Sequence, residues 1–141
     1  MTNDTKVFLY VHAIWSVKDR APLLKKPVRA VLFPHMQQSA AEKGIRLLSM
    51  NGVEDHVHAL IQLHPAQNLS QVIRMVRDES AQWINGNKLM DAAFEWHDTY
   101  AAYTVNPSGV KQVMDFIANQ EEYHKNKTLD NELEAFAKAP A

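Results

Sequence analysis

The segment 56–63 constrains the fold of this chain more than any other, because its residues alternate with the period of a β-strand. Side chains of a strand point alternately to its two faces. One face here is wholly apolar and the other carries two histidines: Val57, Ala59, Ile61 and Leu63 form the first, and His56, His58, Leu60 and Gln62 form the second. The apolar face must pack against other elements, so the two histidines are expected to project together from the opposite face.

The remaining segments predict an α+β domain around this strand. Ser70 is the expected cap of the second helix, and a tight connection over 52–55 is expected to form a hairpin. The order βαββαβα is typical of the ferredoxin-like (RRM-like) fold, an antiparallel sheet with helices on one face, here with an added C-terminal helix. Strands are predicted over 6–16, 45–53, 56–63 and 94–105, and helices over 27–43, 70–85, 108–126 and 130–137.

Composition narrows the class of protein. With 141 residues, 46% of them hydrophobic, the chain is expected to form a single domain over 1–141. It has no cysteine, which excludes disulfides, thiolate zinc sites and a cysteine nucleophile. No stretch approaches the roughly 18 to 20 apolar residues of a membrane span, and the first residues lack the layout of a signal peptide. The sequence therefore predicts a cytoplasmic protein with no membrane partner.

Basic residues are concentrated in the first part of the chain. Residues 1–50 contain eight basic and three acidic residues, whereas residues 51–141 contain seven basic and thirteen acidic ones. This asymmetry predicts a local basic surface for phosphates, although two solvated faces of opposite charge would give the same counts. Tyr10 and His12 share the polar face of the first strand and are candidates for contact with DNA or a partner. The basic candidates for DNA contact are Lys18, Arg20, Arg29, Arg46, Arg74 and Arg77.

The two histidines permit two interpretations, a metal site or an ordinary half-exposed strand, and a third ligand would decide between them. The C-terminal helix offers one. Phe116, Gln120 and Tyr123 follow helical spacing on a line about 100° from the expected core stripe. Two imidazoles and one amide suit zinc, manganese or nickel, whereas magnesium prefers oxygen ligands. The expected core stripe of this helix is Val110, Val113, Met114 and Ile117.

A family resemblance covers nearly the whole chain. The sequence His56-Val57-His58 looks like the His-hydrophobic-His motif of the HUH endonuclease superfamily. The chain resembles the single-tyrosine transposases of the insertion-sequence 200/605 family, among them the REP-associated tyrosine transposases. The segments that carry this resemblance, in the family's order, are 13–24, 51–85, 96–110 and 113–133.

The resemblance implies a single-strand DNA transposase that cleaves and rejoins the hairpin-containing ends of an element. In such enzymes a helical tyrosine attacks a DNA phosphate and keeps the 5′ side as a phosphotyrosine, so no ATP is required. The resemblance also implies that His56, His58 and Gln120 bind Mg²⁺ or Mn²⁺, which polarises the scissile phosphate. It further implies a homodimer whose composite sites each take their helix from the partner subunit.

One residue departs from the family pattern. The nucleophilic tyrosine of the family precedes the helix ligand by four residues, and Phe116 occupies that position here. Phenylalanine lacks the attacking oxygen, so the chain is expected to bind DNA without cleaving it by the usual route. The change was introduced to arrest the reaction, or the protein is naturally inactive, or Tyr123 substitutes. Tyr123 is expected about 10 Å from position 116 at a rise of about 1.5 Å per residue.

Three functions therefore remain open at this stage. The first is the DNA transposase, arrested by Phe116. The second is a single-strand nucleic-acid-binding protein without catalysis, which would not need His56, His58 and Gln120 to converge. The third is a metal-dependent hydrolase that uses water, with Glu54 or Asp55 as the base.

Overall fold

A computed structural model describes residues 5–125, 128–129 and 131–133. No helix within these residues is both long enough and apolar enough to cross a membrane. The strands and α-helices, in chain order, are β1 (Leu9–Ser16), α1 (Lys26–Glu42), β2 (Arg46–Gly52), β3 (His56–Leu63), α2 (Leu69–Gly86), β4 (Ala101–Val105), α3 (Val110–Ala118) and α4 (Gln120–Tyr123).

The strands form one antiparallel sheet in the order β2-β3-β1-β4. The central pair, β1 and β3, is in register from Leu9 opposite Leu63 to Ser16 opposite His56. This topology confirms the predicted ferredoxin-like α+β fold. It also places the first strand beside the strand that carries the two histidines.

The main core lies between one face of the sheet and helices α1 and α2. The apolar face of β3 is buried there as predicted, since Val57, Ala59 and Ile61 are all inaccessible to solvent or nearly so. Val57 and Ile61 each contribute roughly 1.5–3 kcal/mol when their side chains leave water. Other members of this core are Ala13, Trp15, Leu32, Met36, Val72 and Ile73.

Helix α3 covers the opposite face of the sheet. The amide of Asn51 on β2 donates to the carbonyl oxygens of Ile117 (3.0 Å) and Ala118 (3.2 Å), which anchors the C-terminal end of the helix. Ile117 is fully buried, but Met114 remains 37% exposed. The predicted core stripe is therefore wrong for Met114, because the helix is anchored at its last turn rather than along its length.

The C-terminal helix is broken where the sequence predicted one helix over 108–126. A 3₁₀ turn over Pro107–Gly109 precedes α3, and Asn119 separates α3 from α4 with φ −101° and ψ 23°. The side chain of Asn119 donates to the carbonyl oxygen of Asp115 at 2.9 Å. Such local bonds from asparagine compete with the helical pattern. The predicted tail over 130–137 is described only at 131–133, which are helical, and otherwise lies outside the described residues.

Two further boundaries differ from prediction. The cap of α2 is Asn68, whose side chain accepts from the backbone N–H of Gln71, whereas Ser70 is hydrogen-bonded to the hydroxyl of Tyr100. Both residue types are favoured caps, so the sequence did not distinguish them. The last strand is confined to Ala101–Val105, and the rest of segment 94–105 contributes one isolated bridge, between Trp96 and Val17.

Candidate metal centre and nucleophile position

The two histidines of β3 lie beneath α3, α4 and residues 131–133. His56 and His58 are both fully buried, as are Gln120, the first residue of α4, and Glu132. The structure therefore brings together the three predicted ligands and adds a carboxylate that the sequence did not single out. A buried polar cluster of this kind is costly unless its atoms are paired or bind an ion.

Neighbouring side chains fix the orientation of both imidazoles. His56 Nδ1 lies 2.7 Å from the carboxylate oxygen Oδ1 of Asp55. A carboxylate accepts hydrogen bonds, so Nδ1 carries the hydrogen and Nε2 keeps its lone pair in the neutral ring. His58 Nδ1 pairs with Nε2 of His12 at 2.7 Å. Both histidines thus direct Nε2 toward the cluster. Metal-binding imidazoles are oriented in the same way, by a hydrogen bond from the ring nitrogen that does not bind the metal.

One carboxylate oxygen lies at the centre of the cluster. Oε1 of Glu132 is 2.7 Å from His58 Nε2, 3.2 Å from His124 Nε2 and 3.3 Å from His56 Nε2. The second oxygen, Oε2, accepts from Gln120 Nε2 at 3.1 Å. His56 Nε2 and Gln120 Oε1 are buried without a hydrogen bond in the part of the chain that the structure describes. Two buried atoms that can bind a metal are therefore left without a hydrogen bond at this site.

These atoms fit a divalent cation. One ligand atom from each of His56, His58, His124 and Glu132 lies within 4.8 Å of the others. Imidazole nitrogen and carboxylate oxygen are common ligands of manganese and zinc, and Gln120 Oε1 adds a neutral oxygen. Both atoms left without a hydrogen bond at the cluster are potential metal ligands. The cluster can therefore hold a metal ion.

Burial and the neighbouring carboxylates have opposite effects on the pKa values of the histidines in the site. Burial opposes charge on His56, yet Asp55 and Glu132 outweigh it and raise its pKa. Burial lowers the pKa of His58, and Glu132 offsets this only in part. Burial and the neighbouring His58 lower the pKa of His12 to about 3, so this ring is neutral. Burial would favour a neutral Glu132, but its hydrogen bonds from imidazoles hold its pKa well below the usual value.

Position 116 adjoins the proposed ligands. The ring of Phe116 packs edge-on against His58, with 5.7 Å between centroids, and against His12 at 6.1 Å. The ring of Tyr123 lies 5.1 Å from that of Phe116. The two rings are therefore closer together than the distance of about 10 Å that was expected along the helix axis. The helix breaks between them, and helical side chains lean toward the N-terminus.

An open groove of about 770 Å³ adjoins the cluster. Its lining includes Arg20, Arg29, Asp55, Glu121, His124 and Lys125. Arg29 donates to Glu121 at 2.8 Å and to the carbonyl oxygen of Leu24, and the hydrogen bond from Arg29 lowers the pKa of Glu121. The groove therefore has a basic wall that is partly neutralised.

The six basic residues predicted to bind DNA lie on separate surfaces. Arg20 and Arg29 line the groove, whereas Arg74 and Arg77 line another cavity, of about 470 Å³, beside Trp96. Arg77 donates to two backbone carbonyl oxygens, those of His97 and Thr99. Lys18 is paired with Glu95 at 2.8 Å, and Arg46 is exposed at the start of β2. Of these six residues, only Arg20 and Arg29 line the groove beside the histidine cluster.

Comparison with known proteins places the chain in a family. A family model described as "Transposase IS200 like" matches residues 5–120. The chain belongs to the IS200-like transposase family. The ISDra2 transposase TnpA of Deinococcus radiodurans is 26% identical to this IS200-like transposase over 117 residues, which are 79% of this chain and 84% of that relative.

Two solved structures share the fold. A crystal structure of a transposase from Deinococcus radiodurans matches with a TM-score of 0.67 and 22% identity, over 85% of this IS200-like transposase and 96% of that chain. The structure of a REP-associated tyrosine transposase bound to a REP hairpin matches with a TM-score of 0.61 and 12% identity, over 88% and 74% of the two chains. The likeness supports the assigned architecture.

Sequence reasoning missed part of the site of this IS200-like transposase. His12 was expected to contact DNA or a partner, but it is 1% exposed and pairs with His58. The alternation of the first strand already placed it on the histidine face. Glu132 lies in segment 113–133, which carries the family resemblance, but no strand or helix period aligned it with the two histidines.

Proposed function

We propose that this IS200-like transposase binds single-stranded DNA hairpins at element ends. We further propose that its site is built for cleaving and rejoining those ends, and that Phe116 arrests this reaction. The observation that carries the proposal is the contact between the ring at position 116 and the imidazole of His58. A phenol at that position would have its ring against a proposed metal ligand. His56, His58 and Gln120 are the proposed ligands of Mg²⁺ or Mn²⁺.

With tyrosine at position 116, the phenol oxygen attacks the phosphorus of the scissile phosphate and gives up its proton. The bond from phosphorus to the 3′-oxygen breaks, and that oxygen takes a proton to become a free 3′-hydroxyl. The phosphotyrosine retains the bond energy, so a second 3′-hydroxyl can reverse the step. A bound divalent ion would supply Lewis-acid polarisation of the phosphate. Asp55 and His12 hold the two imidazoles in the orientation that this requires.

Tyr123 is the alternative nucleophile. Its ring lies beside that of Phe116, but burial and the charge of Glu132 raise its pKa. A raised pKa leaves less phenolate at neutral pH, which disfavours attack by this hydroxyl. We therefore propose position 116, rather than Tyr123, as the position of the nucleophile.

The test is cleavage of a labelled single-stranded hairpin end in Mn²⁺ by the unmodified chain and three variants: Phe116→Tyr, Tyr123→Phe and the double variant. We expect a covalent protein–DNA adduct from Phe116→Tyr and from the double variant, and none from the unmodified chain. An adduct from the unmodified chain that disappears in Tyr123→Phe would instead assign the reaction to Tyr123. Absence of an adduct from every protein, with hairpin binding that needs no metal, would contradict the transposition chemistry.

The family resemblance also implies a homodimer with exchanged helices, whereas α3 of this chain packs on the sheet of the same chain. The two arrangements can be distinguished by a separate test. Phe116→Tyr combined with His58→Ala has a nucleophile without a complete ligand set, whereas the unmodified chain has the ligands without a nucleophile. If composite sites form between subunits, mixing the two inactive proteins restores an adduct. No adduct from the mixture, with an active Phe116→Tyr control, would show that each chain uses its own helix.

Arg20 and Arg29 are the proposed phosphate contacts, because both line the groove beside the cluster. We expect Arg29→Gln to weaken hairpin binding. The slope of the logarithm of the binding constant against the logarithm of the salt concentration should decrease in magnitude by about one. Arg74→Gln is the matched control, since Arg74 lies at the other cavity. Equal effects of the two substitutions would contradict the assignment of the groove. Lys18, Arg46 and Arg77 remain weaker candidates because they lie away from it.

A hairpin-binding protein without catalysis is the second candidate function. The observation that favours it is Phe116 itself, which keeps the ring and lacks the nucleophilic oxygen. It predicts that Phe116→Tyr restores no cleavage. The hydrolase hypothesis has less support, since Asp55 is engaged with His56 and Glu54 pairs with Lys25 at 2.9 Å.

A further inference from the structure

We propose that Glu132 is itself a metal ligand, so that the ion is held by two imidazoles and a carboxylate, with Gln120 orienting that carboxylate. This inference rests on the proposed metal site and adds to it a charged ligand from beyond residues 5–120, the family match. Glu132 is fully buried, and its Oε1 is within 3.3 Å of the ε nitrogens of three histidines.

Two buried atoms of the cluster are available to a cation. His56 pairs its Nδ1 with Asp55, which leaves Nε2 directed at Oε1 of Glu132 from 3.3 Å. His56 Nε2 and Gln120 Oε1 have no hydrogen bond among the described residues, although both are buried. A divalent ion bound beside Glu132 would coordinate these atoms in place of the missing hydrogen bonds.

The distances agree with coordination by neighbouring ligands. Bonds of about 2.1 Å at right angles place adjacent ligand atoms about 3.0 Å apart. The separations of Oε1 from the nitrogens of His58, His124 and His56 are 2.7, 3.2 and 3.3 Å. Small movements around the ion therefore suffice, and His124 is placed to contribute a further ligand. Gln120 Nε2 holds the other carboxylate oxygen at 3.1 Å and restricts the rotation of that group.

A carboxylate changes which ion the site prefers. Two imidazoles and an amide provide no negative charge, and a carboxylate is a ligand that manganese favours, whereas imidazole alone already suits zinc. The charge of Glu132 compensates half of a divalent charge in a buried site, where that compensation matters most. Glu132 should therefore contribute more to Mn²⁺ affinity than to Zn²⁺ affinity.

The experiment is titration of the metal-free protein with Mn²⁺, followed by electron paramagnetic resonance of the free ion, and a parallel calorimetric titration with Zn²⁺. The proteins are the unmodified chain, Glu132→Gln, Glu132→Asp, His56→Ala and the matched control Glu122→Gln. Glu122 is an exposed glutamate paired with Lys125, so its substitution changes net charge equally without touching the cluster. Thermal unfolding without metal tests whether each variant folds.

We expect Glu132→Gln to weaken Mn²⁺ binding by at least about tenfold and Zn²⁺ binding by a smaller factor. Glu132→Asp keeps the charge with a shorter reach and should give an intermediate affinity. Glu122→Gln should bind as the unmodified chain does. If Glu132→Gln binds both ions as tightly as Glu122→Gln does, Glu132 contributes no ligand and the inference is overturned.

Other outcomes separate this inference from the proposed function. If His56→Ala loses Mn²⁺ while Glu132→Gln binds it normally or more tightly, Glu132 is not a ligand and the histidine site stands. If Glu132→Gln does not fold, unchanged affinity in Glu132→Asp overturns the inference. If the unmodified chain binds neither ion, the proposed metal site fails, and the role of Glu132 fails with it.

Discussion

The hairpin that leads into the histidine strand leaves no room for a side chain at Gly52. A Cβ atom there would lie 2.3 Å from the carbonyl oxygen of His56 and 2.9 Å from the Cα of Val57. Both are backbone atoms, which cannot rotate away as the end of a flexible side chain can. The same carbonyl accepts the N–H of Val53 at 3.1 Å, so the turn is held by the group that Gly52→Ala would displace.

The magnitude follows from these contacts. Overpacking in a closed region costs about 1–3 kcal/mol, occasionally more. Loss of the Val53 hydrogen bond adds roughly 1 kcal/mol. We therefore expect Gly52→Ala to lower the free energy of unfolding by about 2–4 kcal/mol. Because His56 begins the displaced strand, the affinity for Mn²⁺ should fall as well.

Urea unfolding, followed by far-ultraviolet circular dichroism, measures this change in the free energy of unfolding. The dependence of that free energy on urea concentration should be the same for both proteins. Gly86→Ala is the matched control, since a Cβ atom at Gly86 meets no atom within 4 Å and Gly86 ends helix α2. That variant should be as stable as the unmodified chain or more stable by up to about 1 kcal/mol. A Gly52→Ala protein within about 0.5 kcal/mol of the unmodified chain would refute the reasoning, because the hairpin would then have moved at no cost.

Three further predictions concern side-chain hydrogen bonds. Ser80 accepts from the indole N–H of Trp96 at 2.9 Å, so Ser80→Ala should lower the free energy of unfolding by about 1–3 kcal/mol; unchanged urea unfolding would contradict this. His12→Phe keeps an aromatic ring but removes the hydrogen-bond partner of His58. In an electron paramagnetic resonance titration, the dissociation constant for Mn²⁺ should rise about 10–100-fold. An unchanged dissociation constant would show that His58 needs no partner. Asn51→Ala removes both bonds to the end of α3 and should accelerate hydrogen exchange over 110–118; unaltered exchange would place the anchoring elsewhere.

The sequence was sufficient to predict the features that depend on the period of a strand or a helix. Alternation in segment 56–63 predicted the boundaries of β3, its buried face and the shared direction of His56 and His58. Helical spacing likewise placed Gln120 on the line of Phe116; the ring of Phe116 packs against His58, and Gln120 donates to Glu132. These predictions succeeded because the period of an element decides which side chains share a face.

The sequence was insufficient where distant segments meet. Nothing in the local pattern around Glu132 shows that its carboxylate enters a cluster built on β3, since a tertiary contact between 58 and 132 leaves no periodic trace. The break at Asn119 was missed for a different reason. Asparagine is acceptable inside a helix, and only the bond to Asp115 and the packing of α4 show that it ends one.

That break gives the two helices separate attachments. Phe116 belongs to a helix anchored by Asn51, whereas Gln120 begins the next helix and donates to Glu132. Asn119 is the single residue between them, and a change in its backbone angles would alter the angle between the helices. The ring at position 116 would then move relative to Gln120, which a continuous helix would not allow.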